Sequence, residues 1–348
     1  MRLRNVLAAV SAVLAVVGSV AAAPSGNGRP PSGSCSPRVG IDSYSDVLDK
    51  TQFQGAFVGN FSALAVDRDG RIAALSDRSE LFTLDARTYA PRTVVPLADE
   101  NGGQLDSEGL VVERDGSRLV TSETEPSVRR YGRDGTLLGR LPVPDALKVA
   151  PAGRATRNLT FEGLTLQPGG RTLVAAMESP IAGDGTGIVR MQTWRRATPR
   201  HDFRLSAQYA YQADAKLGIS ETTATGDGRL LVLDRGFTAG VGNTVRLYLA
   251  DLRHATDVSN VAYVTGQAGQ EGVRLVRKTL LADLVDCPSL GAPAKQPQPN
   301  PLLDNIEALA VTSRGPGGRL HVLLASDDNQ NAAQTTRLYR MTIRLPRR

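Results

Sequence analysis

The chain is poor in cysteine, histidine and aromatic residues. Two cysteines, Cys35 and Cys287, and three histidines serve 348 residues. That is too few thiols and imidazoles for a zinc site, and none stands at ligand spacing. The GxSxG elbow of serine hydrolases is absent, as are GxGxxG and other glycine-rich phosphate loops. A Ser-His-Asp triad has no sequence support: Ser220 is followed by the wrong residues, His321 reads as a strand residue, and His201 and His254 lie in arginine-rich connections. Past the N-terminus no run is long and apolar enough to span a bilayer. Basic blocks are missing too. The 41 Lys and Arg are scattered among 35 Asp and Glu, which argues against nucleic acid as a partner. Helical patterns are scarce, while glycine and short β-type runs abound, so the chain reads as all-β.

What is present begins with a targeting signature. Arg2 and Arg4 precede an apolar run, Val6 to Val20, and Ala21 to Ala23 fit a small-residue cleavage site. Residues 1–23 are expected to be a signal peptide, 24–37 a flexible linker and 38–348 the folded domain. Removing Arg2 and Arg4 takes the formal charge from +6 to about +4. Cys35 lies too far from the cleavage site for a lipid anchor. The mature chain is expected to be secreted, without a membrane anchor, and monomeric. In an oxidising compartment Cys35 and Cys287 should form one disulfide.

A hairpin pattern recurs: "FSALAVDRDGRIAALSDR" from Phe61, "DSEGLVVERDGSRLVTSE" from Asp106, "TFEGLTLQPGGRTLVAAME" from Thr160, "ISETTATGDGRLLVLDR" from Ile219 and "NIEALAVTSRGPGGRLHVLLASDDN" from Asn305. Each is an alternating strand, a glycine turn and an apolar strand. Repeats start about 45 to 60 residues apart, except for a gap of 86 between Glu221 and Glu307. The gap holds further strand-like runs, "TVRLYLADL" and "GVRLVRKTLLADL", which read as one degenerate blade. The expected architecture is a single-domain, six-bladed β-propeller. A β-sandwich would not explain the recurring hairpin.

Positions equidistant from each turn are polar. They are Ser62 and Asp77, Glu108 and Glu123, Glu221 and Asp234, and, one step off, Glu162 and Glu178. Glu307 opens the last hairpin, and Asp327, Asp328 and Asn329 close it. All lie opposite the turns, so a propeller should gather them at one mouth of its channel. Two carboxylates about 5 Å apart repel by roughly 3 kcal/mol at an effective dielectric of 20. A bound cation, arginine partners or a shared proton must relieve this. The all-oxygen donor set suits calcium. Expected ligands are Glu108, Glu178, Asp234, Glu307, Asp327 and Asn329. Alternatively Arg78, Arg157 and Arg235 neutralise the ring as ion pairs. "NFS" at Asn60 and "NLT" at Asn158 match the glycosylation pattern, a common accident.

"SDR" at Ser76, "FEGLTL" at Phe161, "AAMESP" at Ala175, "GISE" at Gly218, "LVLDRGF" at Leu231, "VRKTLLADL" at Val276, "DNIEALA" at Asp304 and "SDDN" at Ser326 follow one another in an order that resembles the phytase-like family, "esterase-like activity of phytase". The resemblance spans roughly residues 40 to 343. It implies a six-bladed propeller distantly similar to calcium-dependent propeller phytases. It marks Glu162, Glu178, Glu221, Asp234, Arg235, Glu307, Asp327 and Asn329 as the motif residues. The reaction expected first is hydrolysis of a phosphate ester, a small anionic substrate. Glu162 or Glu221 would take the proton, and Arg235 and Arg78 would hold the phosphate. A carboxylic ester or lactone hydrolase and a non-catalytic binding propeller are the alternatives.

Overall fold

The computed structural model describes residues 33–266, 270 and 272–348. The signal segment and most of the linker lie outside them. The first described strand, β1 (Val39–Ser45), is followed by a short ribbon, β2 (Thr51–Phe53) and β3 (Ala56–Val58). Then come blade 1, β4 (Phe61–Val66), β5 (Ile72–Ser76), β6 (Glu80–Leu84) and β7 (Pro91–Pro96), and blade 2, β8 (Ser107–Val112), β9 (Arg118–Ser122), β10 (Ser127–Tyr131) and β11 (Leu137–Arg140). Blade 3 is β12 (Phe161–Leu166), β13 (Thr172–Met177), β14 (Ile188–Arg195) and β15 (Arg204–Gln212). Blade 4 is β16 (Gly218–Ala224), β17 (Leu230–Thr238), β18 (Gly242–Asp251) and β19 (Arg277–Asp283). Blade 5 takes β20 (Ile306–Gly315), β21 (Arg319–Ser326) and β22 (Leu338–Arg344), and β1 completes it as the outer strand.

The propeller therefore has five blades, not six. The inner strands β4, β8, β12, β16 and β20 pack in sequence, and β20 packs back on β4, which closes the ring. Among the described residues the 86-residue gap holds no degenerate blade. Its strand-like runs are β18 and β19, the outer half of blade 4, paired from Arg246↔Asp283 to Asp251↔Arg277. A connection from Leu252 to Val276 separates them, and a repeat count alone cannot tell such an insertion from a new blade.

Each blade is apolar on both faces, and the core lies between blades. Leu231, Leu233, Val245 and Leu247 of blade 4 meet Ile306, Leu309 and Leu324 of blade 5. Trp194, Leu173 and Val189 of blade 3 join Leu230 and Val232 of blade 4 and Leu119 of blade 2. Ring closure is reinforced covalently, because Cys35 and Cys287 form a disulfide across 252 residues of sequence. It joins the segment before β1 to the connection between blades 4 and 5. Among the described residues no helix is long and apolar enough to cross a membrane.

Candidate functional site

The hairpin turns are one residue longer than a two-residue turn in four blades and two residues longer in blade 3. In blade 1 the Asp67 amide bonds the Arg71 carbonyl, and Gly70 takes φ 81°, a value that favours glycine. Every inner strand then breaks register near its mouth end. The breaks fall between Phe61 and Ala63, Ser107 and Leu110, Phe161 and Leu164, Ile219 and Glu221, and Ile306 and Ala308. A bulge at the same place in all five blades re-aims one side chain each: Ser62, Glu108, Glu162, Ser220 and Glu307. On the second strands, the residue just past the corresponding pair is Asp77, Glu123, Glu178, Arg235 or Asp327. Of these ten positions seven are acidic and one is cationic. They form an acidic cup at the channel mouth.

Carboxylate oxygens of Asp106, Glu108 and Glu123 lie within 4.8 Å of one another, and so do those of Glu123, Glu162 and Glu178. Glu123 belongs to both groups. Arg235 approaches Glu307 at 2.9 Å and Glu178 at 3.9 Å. Asn305 Nδ2 donates to Glu307 at 2.9 Å and to Asp327 at 3.5 Å. The acids suppress one another's ionisation. Burial, followed by the charges of Glu178 and Asp106, pushes Glu123 up to about 8. Burial likewise raises Asp77 to about 6, against the pull of Arg78. Glu108 and Glu162 are held well above the ordinary range by burial and by neighbouring carboxylates. Asp327 is raised by burial, then by Glu307 and Asp77. Glu178 is raised by burial, with Arg235 opposing. Burial and the crowding of like charges thus favour the protonated form of these acids, Glu123 among them.

Several residues expected at the ring sit elsewhere. The blade 4 bulge falls on Ser220, so Glu221 occupies the next position, where the other blades carry Ala63, Gly109, Gly163 and Ala308. Glu221 Oε1 accepts from the Thr222 amide at 2.7 Å, and burial alone raises its pKa, with no other carboxylate contributing. It lines the channel of about 280 Å³ below the cup, beside Leu164 and Leu110. Asp234 is the register equivalent of Ser76, so it turns away from the mouth. It accepts from Tyr211 Oη at 2.8 Å and pairs with Lys278 at 3.0 Å. Asp328 is buried against Lys50 and the Asn60 amide. Asn329 is exposed and touches the cup only through its backbone amide, 2.7 Å from Asp327 Oδ1. Arg78 stands half-exposed at the rim, 3.5 Å from Asp77. Glu108, Glu162, Glu178, Arg235, Glu307 and Asp327 are in the cup. Asp106 belongs there too and was missed. It directly precedes β8 at φ 53°, a conformation aspartate tolerates better than most residues, and "LDSE" placed it two residues before Glu108.

The residues fit a hard divalent cation. Every donor facing the cup is oxygen, and carboxylate pairs this close favour a cation over repulsion. Ser220 Oγ is buried with no hydrogen-bond partner, and buried Asp77 Oδ1 has none beyond the 3.5 Å approach of Arg78. His201, His254 and His321 are exposed and lie outside the cup, which disfavours softer metals.

The family model for phytase-like proteins, described as esterase-like activity of phytase, matches residues 56–330. An uncharacterized secreted protein of Arthroderma benhamiae is 31% identical over 106 residues, 23% of this chain and 21% of its own length. The matched part thus spans about a fifth of that relative. Among solved structures, a gluconolactonase from Xanthomonas campestris aligns over 80% of this chain and 71% of its own, at 16% identity and a TM-score of 0.40. An aldose sugar dehydrogenase from Streptomyces coelicolor aligns over 86% and 98%, at 11% identity and 0.38. At these values the strand pairing above, not the likeness, defines the fold.

Proposed function

The chain belongs to the phytase-like family, and from that premise we propose that it is an exported hydrolase that cleaves a phosphate ester in the acidic cup. The observation that carries the reading is Arg235, the one basic side chain among the ten cup positions, set beside carboxylates that crowd within 4.8 Å of one another. Calcium held by Asp106, Glu108 and Glu123 would neutralise the cup and polarise the ester phosphate. Arg235 binds phosphate oxygens. Its head is already oriented by Glu307, and its Nε is buried without a partner. Arg78 at the rim draws the anion in. Glu162 accepts a proton from the attacking water as the new P–O bond forms and the ester P–O bond breaks, and the departing alkoxide takes a proton from solvent water. Glu162 can do this only when ionised, and burial among acids opposes that. Positive charge in the cup restores it. Glu221, alone in the channel wall, is a weaker choice for the base.

Export is supported by the N-terminal signature, by the disulfide and by the secreted relative. The protein is expected to act as a monomer on a small substrate. A second reading, hydrolysis of a carboxylic ester or lactone, is favoured by the family's esterase-like description. In a third, the cup only holds a structural cation. Turnover of a phosphomonoester, a carboxylic ester and a lactone, each with calcium and with chelator, separates the three. Calcium-dependent cleavage of the phosphomonoester supports the first. No turnover of any substrate supports the third.

A further inference from the structure

Four of the five second strands stop at the rim. They end at Ser76, Ser122, Met177 and Ser326, each one residue short of the cup position. Strand β17 does not stop there. It runs three residues past Arg235, through Gly236 and Phe237 to Thr238, and returns as β18. At ~3.3 Å per residue the hairpin stands about 10 Å above the level of Arg235. Its pairing is unbroken from Leu230↔Ala250 to Thr238↔Gly242, so side chains alternate strictly. Phe237 therefore shares a sheet face with Arg235, the face turned toward blade 5, while Asp234 takes the other.

The hairpin is braced on both sides. A Cβ on Gly236 would lie 2.7 Å from the Lys216 carbonyl, so the 216–217 backbone packs directly against it. The Asn243 amide donates to Gln298 Oε1 at 2.8 Å. Yet this braced projection leaves two large apolar residues open to solvent. Phe237 and Val241 are each 55% exposed. An aromatic ring two residues beyond the cup's Arg235, on the same sheet face, has a use if the ligand is amphiphilic.

We propose that Phe237 determines substrate specificity: it packs on an apolar group of the ester while Arg235 holds the anionic end. This rests on the hydrolase reading above and narrows its substrate class to anionic esters bearing an alkyl or aryl group. It also sets a direction for the ligand, which lies along the blade 4–blade 5 boundary from Glu307 outward.

The test uses hydrolysis-inert probes, straight-chain alkylphosphonates from methyl to octyl, with binding measured by calorimetry on the calcium-loaded protein. In the wild type, affinity should rise ~3–4-fold for each methylene that reaches the ring, giving an octyl-to-methyl ratio of at least about 30. Phe237→Ser should collapse that ratio to about 3 or less, and Phe237→Leu should retain part of it. Melting temperature of each variant checks that the exposed site has not disturbed the fold. An unchanged ratio in Phe237→Ser overturns the assignment, as does a wild-type ratio near one. Methylphosphonate failing to bind while octylphosphonate binds through Phe237 would support the apolar contact and overturn the anion-holding role of Arg235. Failure of both probes to bind removes both.

Discussion

Raising the pH in the presence of chelator should destabilise the protein, and calcium should abolish the effect. Glu123 keeps its proton to a higher pH in the fold than in the unfolded chain. An acid whose folded pKa is raised contributes stability that is complete below its unfolded pKa and is lost as pH rises through the folded value. For Glu123 the window runs from the ordinary 4.5 to about 8. At 1.36 kcal/mol per pH unit, that window corresponds to ~5 kcal/mol. Relaxation and water entry soften such burial costs, leaving roughly 2–4 kcal/mol. Unfolding entropy of ~2 cal/mol/K per residue over ~300 residues converts this into a fall in melting temperature of about 3–7 °C. Scanning calorimetry at pH 5 to 9 in chelator measures it, with Glu123→Gln as the control, since the amide cannot ionise. Millimolar calcium should flatten the wild-type curve by binding the ionised cup. A wild-type melting temperature that stays level or rises from pH 5 to 8 in chelator would refute the reasoning. So would a Glu123→Gln curve with the same slope.

Asp234→Asn should cost about 2 kcal/mol by weakening the pair with Lys278, yet leave calcium affinity unchanged in calorimetry, because that carboxylate faces away from the cup. Gly163→Ala should destabilise by ~1–3 kcal/mol in denaturant titration, since its Cβ would fall 2.2 Å from the Thr222 amide nitrogen of the next blade. Replacing Cys35 and Cys287 together with serine should lower stability by up to ~5 kcal/mol under non-reducing conditions, because the bridge spans 252 residues. Arg235→Met should raise KM for a phosphomonoester at least ~10-fold while the variant stays folded at pH 6, the loss expected for one charged hydrogen-bonded contact.

The propeller was legible because its hairpin repeats, and the repeat carried the acids. Glu108, Glu162 and Glu307 stand at one place in the motif and end at one place in the structure. The blade count was not legible. Strands β18 and β19 are separated by the connection from Leu252 to Val276, and an insertion within a blade looks in sequence like a weak extra blade. Blade 4 also misled the site reading by one residue. "ISET" sets Ser220, not Glu221, on the bulge, and "LDRG" sets Arg235, not Asp234, at the cup. Counting outward from a turn cannot register a bulge, since the extra residue shifts every later side chain by one. The substitution of Arg235 for an acid gives the cup its polarity, and only the register reveals it.

The most direct test of the account is calcium-dependent phosphomonoester turnover by the mature protein, measured beside Glu162→Gln. Millimolar calcium should give turnover that excess chelator removes, and Glu162→Gln should lose it by about 100-fold or more while keeping its melting temperature. Turnover that persists in chelator, or a Glu162→Gln variant as active as the wild type, would contradict the claim that the cup is the site of hydrolysis.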